Sequence, residues 1–293
     1  MSAAPVPPIP PASSVAAMTA ITAAQAAQAV TASAAAADIA WRAVHAAACV
    51  PYRQAGRFAW HWARGKLGRD PVFRGMLERG HLPARARVVD IGCGQGLLAS
   101  LLQSCADLQA RAAWPASWPV PASASGYVGI ELMPRDVARA QAAIGDLPLA
   151  PRFECVDMCA AALPACDLVV ILDVLHYVDH AAQLQVLTRV RDALRAGTAH
   201  VALPAGAGSS GRLLLRVGDA AATRGFTASQ WVDRIVTTAR GHRVAPTWGR
   251  PLGDWVHLLQ GLGFGVQCIP MSQGTPFANV LLVADLQAAE KQA

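Results

Sequence analysis

Val88-Val89-Asp90-Ile91-Gly92-Cys93-Gly94-Gln95-Gly96-Leu97-Leu98, continued by Ala99-Ser100-Leu101-Leu102, decides how the rest of the chain is read. Arg87 to Ile91 has the apolar run of a buried parallel strand, and Leu97, Leu98, Leu101, Leu102 and Cys105 recur behind it at helical spacing. Three glycines at alternate positions let the backbone double back and bring bare N–H groups at a helix N-terminus against a ligand. The stretch is a nucleotide-type cradle. A dinucleotide turn wants G-x-G-x-x-G, but its third position falls on Leu97 and the glycine comes one place early, at Gly96. A Walker-type phosphate loop needs Gly-Lys-Ser/Thr, and this turn holds no lysine.

Further strand ends follow in order. Gly126 to Glu131 reads as the second strand, its carboxylate placed to take both ribose hydroxyls as a bidentate pair. It lies at about twice the usual spacing of ~20 residues from the glycine turn, because Arg111 to Ser125 is a Pro-, Ala-, Ser- and Trp-rich loop insertion. Phe153 to Met158 is a third strand ending in Asp157. Cys166 to Tyr177 contains the continuous apolar run of a central strand, ending at Asp173. Asp179 then caps an amphipathic helix carrying Leu184, Leu187, Val190 and Leu194, which Gly197 stops. His200 to Pro204 reads as the fifth strand, and 208–250 as a helical cap inserted over the substrate side. Leu252, Trp255, Val256, Leu259 and Leu262 form the next helix, and Phe264–Pro270 with Phe277–Ala284 fit a terminal antiparallel pair.

Asp-x-Gly-x-Gly-x-Gly at Asp90 to Gly96 resembles motif I of the Rossmann-like (class I) S-adenosylmethionine-dependent methyltransferases. Asp173-Val174-Leu175-His176-Tyr177 is similar to motif IV of their small-molecule branch, and Gly-Phe and Pro-Phe before the last two strands resemble the closing pattern of that fold. The resemblance covers Arg87 to Asp285. It implies an α/β fold: a Rossmann-like seven-stranded, mostly parallel sheet with an antiparallel last strand, helices on both faces, a helical N-terminal segment and the cap. It also implies S-adenosyl-L-methionine as cofactor, held by Asp90, Gly92, Cys93, Gly94 and Gly96, with Glu131 on the ribose, Leu132 beside the adenine, Asp157 on the adenine amino group, Met158 against the ring, and Asp173. His176, just past the fourth strand, is placed to accept an acceptor's proton near neutral pH; a histidine merely hydrogen-bonded beside the methionine moiety is the alternative. In such enzymes a leading helical segment lies over the cofactor, where Tyr52, Arg53 or Arg57 would meet the methionine carboxylate. No metal is implied. The Asp/Asn-Pro-Pro-Tyr/Phe motif of amine methylation and the Pro-Cys nucleophile of cytosine C5 chemistry are both missing.

Charge distribution bears on the acceptor. Between Arg42 and Arg87 ten Lys/Arg face Asp70 and Glu78, and between Ala205 and Arg250 seven Arg face Asp219 and Asp233. Val88 to Pro204, by contrast, holds seven Arg against eleven Asp/Glu, so an acidic nucleotide-binding core is flanked by basic segments. Such flanks suit an anionic acceptor or carrier. Pro51-Tyr52-Arg53-Gln54-Ala55-Gly56-Arg57, Gly65-Lys66-Leu67 and Leu215-Arg216-Val217-Gly218-Asp219 also resemble methyltransferases of bacterial aryl polyene and xanthomonadin-type pigment pathways. That implies an aromatic or anionic acceptor, O- or C-methylated, either small and free or carried on an acidic acyl carrier protein. An RNA-modifying enzyme and a non-catalytic cofactor-binding subunit are the other readings; aromatic interleaving confined to Phe58, Trp60 and Trp62, with no separate RNA-binding module, argues against nucleic acid.

Residues 1–37 carry no charged side chain and read as a disordered or marginally helical Ala/Pro-rich tail, 38–86 as a helical N-terminal segment, 87–285 as the catalytic domain with insertions at 111–125 and 208–250, and 286–293 as a tail. The run from Val15 to Ala37 is alanine diluted with Thr, Gln and Ser, too weakly apolar for a stable membrane span, and no basic residue precedes Arg42 as a secretory signal would require. Seven scattered cysteines do not form a disulfide framework and point to a reducing cytoplasm.

Overall fold

A computed structural model describes residues 12–199, 211–219, 247–273 and 278–287. Helix α1 (Ala12–Cys49), a 3-10 turn (Val50–Arg53), α2 (Arg57–Arg69) and α3 (Pro71–Glu78) precede the first strand. Then come β1 (Ala86–Ile91), α4 (Leu97–Ala110), β2 (Ala124–Glu131), α5 (Pro134–Ile144), β3 (Arg152–Cys155) and β4 (Leu168–Leu172). A second 3-10 turn (Leu175–Tyr177), α6 (His180–Ala199), β5 (Arg212–Gly218), α7 (Leu252–Gly261), β6 (Phe264–Pro270) and β7 (Asn279–Leu286) complete the described chain. The strands form one sheet in the order β3-β2-β1-β4-β5-β7-β6. β1 to β5 are parallel, and β7 runs antiparallel to both β5 and β6.

The alternation of side chains along each strand builds two cores. Val88, Leu168, Val170 and Leu214 face α1 to α4, whereas Val89, Ile91, Val169, Ile171, Leu213 and Leu215 face α6 and α7. Both faces are covered, so β4 can be apolar throughout. The N-terminal helices belong to the first core: Trp41, Val44, Tyr52, Ala59, Ala63, Leu67 and Val72 are all buried in it. Asp70 caps α3 by accepting the Val72 N–H at 3.1 Å, and Pro71 fills the first helical position.

Three expected boundaries move. The division between residues 37 and 38 falls inside α1, whose alanine content favours one continuous helix; residues 1–11 lie outside the described residues. The insertion at 111–125 ends two residues early, at β2, and Trp118 and Ala122 from it enter the core. The fifth strand expected at His200–Pro204 lies outside the described residues, and Arg212–Gly218, expected within the cap of 208–250, occupies the sheet position beside β4. Arg212 and Arg216 interrupt that apolar run. In the fold each is matched by carboxylates, Arg212 by Asp285 at 2.7 Å and Arg216 by Asp70 and Asp173. Of the C-terminal stretch 286–293, Leu286 ends β7 and only Gln287 is described beyond it.

Candidate functional site

The strand order reverses between β1 and β4, and open α/β sheets bind ligands at the carboxyl ends of strands beside such a reversal. The glycine loop stands there. Gly92 and Cys93 both donate their N–H groups to the Ile130 carbonyl, at 2.8 and 3.1 Å, which folds the loop back over the sheet edge. Gly92, Gly94 and Gly96 have φ of 75°, 55° and 72°, the left-handed region that favours glycine. A methyl group on Gly92 would lie 2.5 Å from Val174 Cγ1, so that glycine serves close packing; one on Gly94 would meet nothing within 4 Å. Gly94 is where the loop opens.

Glu131, at the end of β2, fastens this opening. Its Oε2 accepts the Gly94 N–H and its Oε1 the Met133 N–H, each at 2.9 Å. A carboxylate has about four acceptor positions, so each oxygen retains one toward the crevice. Leu132 beside it is 55% exposed. Asp157, past β3, is exposed and accepts the Cys159 N–H at 2.7 Å; Met158 is half-buried and packs against the second core.

Cys93 of the loop and Asp90 of β1 are both buried beneath it. Cys93 is buried with its thiol directed at the Gly129 position, and burial pushes that thiol well above its ordinary range. Asp90 is buried too, accepting Tyr127 Oη at 2.5 Å, and desolvation, despite that bond and with the Glu131 charge adding to it, lifts its carboxyl to about 7. Asp90 is therefore tied to β2 through Tyr127, and its side chain is buried. Because the folded protein keeps this proton where the unfolded chain has released it, the stability tied to Asp90 is complete below about pH 4 and is lost as pH rises through about 7. Asp90→Asn keeps an acceptor for Tyr127 and has no charge to desolvate. It is expected to flatten that decline, by on the order of 2–4 kcal/mol between pH 5 and pH 8 in chemical denaturation; an unchanged pH slope would count against the assignment.

Tyr52 binds the glycine loop from its buried side. Its ring is fully buried and its hydroxyl donates to the Gln95 carbonyl at 2.9 Å, while Gln95 Nε2 donates to Asp136 at 3.2 Å. Arg53 and Arg57 are exposed, and the Arg53 guanidinium lies 5.5 Å from the Trp60 ring centre. Asp173 follows β4 in the left-handed region at φ 60°, and its carboxylate is engaged by Arg216 and approached by Lys66 at 3.7 Å. Burial alone would raise that carboxyl, but the Arg216 and Lys66 charges outweigh it and hold it below the ordinary range. Asp173 thus brings its backbone to the crevice while its side chain serves an ion-pair cluster that sequence reasoning missed. The only local sign of that cluster is an arginine inside Leu213-Leu214-Leu215-Arg216-Val217.

His176 occupies the short turn after Asp173, its ring 4.2 Å from that of Tyr177. Its carbonyl accepts the Trp248 N–H at 2.8 Å. The fully buried Gln183 of α6 fixes this turn, donating to the Leu175, Val178 and Trp248 carbonyls at 3.3, 3.0 and 2.8 Å. The glycine loop, Glu131, Leu132, Asp157, Met158 and His176 therefore all stand on loops at the carboxyl ends of β1 to β4.

No protein-family model and no curated protein matches the sequence. Among solved structures, the chain is similar to the S-adenosylmethionine-dependent methyltransferase SibL, with TM-score 0.51 and 16% identity over 79% of this chain and 58% of SibL. It is similar as well to the pyocyanin biosynthetic protein PhzM, with TM-score 0.50 and 17% identity over 78% of this chain and 58% of PhzM. In each case the chain spans under two thirds of the other protein's length. The sheet order, the glycine loop after β1 and these likenesses agree: the chain has the fold of the Rossmann-like, class I methyltransferases.

Proposed function

We propose that the protein is an S-adenosylmethionine-dependent methyltransferase whose acceptor is small or carrier-bound, aromatic or anionic, and methylated on oxygen or carbon. The observation that carries this reading is the joined pair of Gly94 and Glu131: a left-handed residue with open space at its Cβ position, hydrogen-bonded to a carboxylate with acceptor positions to spare. The glycine loop around Gly94 would lie against the amino-acid end, with Glu131 on the ribose hydroxyls, Leu132 and Met158 on the adenine faces, and Asp157 on the adenine amino group. When bound, the cofactor supplies a methyl group on positively charged sulfur, which needs only an aligned nucleophile. The protein's part is to exclude water, align the acceptor and take its proton, a step we assign to His176 in the turn past β4.

The acceptor's charge is inferred from the exposed arginines at and before α2: Arg53, Arg57 and Arg64, of which Arg53 and Arg64 lie 5.5 and 4.7 Å from the Trp60 ring centre. An acidic acyl carrier would suit these arginines. Seven free cysteines support work in a reducing cytoplasm, and no helix among the described residues is long and apolar enough to cross a membrane.

Calorimetric titration with S-adenosylmethionine and S-adenosylhomocysteine tests the reading, followed by methyl-labelled cofactor offered with phenols, both free and thioester-linked to a carrier protein. Saturable binding of both nucleotides and label on a phenol are expected; a folded protein indifferent to both nucleotides would refute the assignment. His176→Ala is expected to leave nucleotide affinity within about threefold and to slow transfer to a phenol by about 100-fold. Full transfer by this variant removes His176 as the base.

A further inference from the structure

Arg216 is among the largest side chains that the fold buries, 2% exposed, and it stands on β5 opposite Leu172. A guanidinium taken out of water is costly unless its donors are met by charged partners. Here two carboxylates meet them. Nη1 and Nη2 reach the two oxygens of Asp70, Nη2 at 2.7 Å, while Nε donates to Asp173 Oδ1 at 2.7 Å and Nη2 also contacts Asp173 Oδ2. Lys66, one turn before Asp70 on α2, places Nζ 2.8 Å from Asp70 and 3.7 Å from Asp173. Two cations and two anions thus join the α2–α3 corner to the tips of β4 and β5.

The other end of α2 is tied down separately. Phe58 stacks on Trp62 at 6.3 Å and lies 4.4 Å from the Arg139 guanidinium of α5. Gln54, just before the helix, donates to the Ala143 carbonyl of α5 at 2.8 Å. Phe58, Trp62 and Lys66 are spaced by four residues and share one helix face. The helix therefore reaches from α5, which follows β2, to the ends of β4 and β5, and spans the reversal between β1 and β4. Asp173 sits at its far end in a left-handed conformation that a non-glycine residue holds only when its surroundings impose it.

We propose that Arg216 is a positioning residue for the crevice: by gripping Asp70 and Asp173 together it keeps α2 across the strand ends and so encloses the bound nucleotide, which it does not touch. The inference rests on the nucleotide-binding reading above. It differs from a fold staple in what it controls, namely how quickly a nucleotide escapes.

Asp70→Asn is the gentlest test, because asparagine still caps α3 while the charge that Arg216 and Lys66 hold is gone. Two measurements are read: release of S-adenosylhomocysteine by stopped flow, and amide hydrogen exchange across residues 57–69 in the ligand-free protein. Release about tenfold faster, with faster exchange in α2 and unchanged protection of β1 and β4, is the expected result. Arg216→Lys, a point charge that cannot bridge two carboxylates bidentately, should fall between the wild type and Arg216→Met. Wild-type release from Asp70→Asn overturns the proposal, even where α2 exchanges faster, and so does unaltered exchange in α2. A wild-type protein that binds no S-adenosylhomocysteine defeats the cofactor reading instead, and the exchange measurement still decides whether Arg216 holds the helix.

Discussion

Gly197→Ala is expected to lower thermal stability more than any other glycine-to-alanine change in α2, α6 or α7. The added methyl carbon would lie 1.8 Å from the Cys166 carbonyl oxygen and 2.6 Å from its carbon, and both are backbone atoms with no rotamer to change. Nor can the two segments easily part. The Cys166 N–H donates to the Ala193 carbonyl at 3.2 Å, and Arg87, paired with Asp167 at 2.6 Å, donates to the Gly197 carbonyl at 3.0 Å. Alanine returns up to about 1 kcal/mol through helix propensity, but overpacking against fixed backbone costs about 1–3 kcal/mol and here stands at or above the top of that range. A net loss of about 2 kcal/mol corresponds to a fall of roughly 4–8 °C in Tm. Gly65→Ala in α2 is the control: its added carbon meets nothing within 4 Å, so it should melt at or slightly above the wild-type temperature. Equal melting of the two variants by circular dichroism would mean that α6 does not press on the segment leading into β4.

Gly197 was visible in the sequence only as a helix stop, although α6 ends two residues beyond it; its backbone contact at Cys166 depends on how two distant segments meet. The same division holds through the molecule. The glycine loop was legible because strand, turn and helix are each specified within a short window, and the positive φ of Gly92, Gly94 and Gly96 is something that almost only glycine tolerates. Glu131 was legible because it ends a strand whose neighbours are apolar. Arg212–Gly218 was not, since two arginines in seven residues argue against a central strand and the carboxylates that make them tolerable are far off in sequence. Asp285 lies 73 residues from Arg212, and Asp70 lies 146 from Arg216. The ion pair at Asp173 was hidden for the same reason: a carboxylate at a strand end looks available until a cation from another strand is seen to hold it. Tyr52 shows a third limit, because a sequence places a hydroxyl in a region but does not say which way it points. Buried polar groups whose partners are remote in the chain are what local pattern reading cannot resolve.

Glu131→Gln is expected to weaken S-adenosylhomocysteine binding by about two to three orders of magnitude, or roughly 3–4 kcal/mol, while the protein stays folded. Two losses combine. The charge-assisted bonds proposed for the ribose become neutral ones, and the amide can present only one acceptor atom to a site that has two N–H donors, Gly94 at 2.9 Å and Met133 at 2.9 Å. One of those backbone groups would then face an NH2, so the loop opening shifts away from the position in which Gly94 would meet the proposed ligand. Glu131→Asp separates the two effects, because it restores the charge on a shorter arm that cannot reach both donors at once. It should recover part of the affinity, but not all. A second readout needs no ligand. Since the Glu131 charge contributes to lifting the Asp90 carboxyl to about 7, Glu131→Gln should lower that value and shift the pH-dependent loss of stability toward acid, whereas Glu131→Asp should shift it little. Wild-type affinity in Glu131→Gln together with the acid shift would leave Glu131 as a loop fastener and move the ribose elsewhere; wild-type affinity without the shift would mean that the carboxylate does not stand beside Gly94 at all.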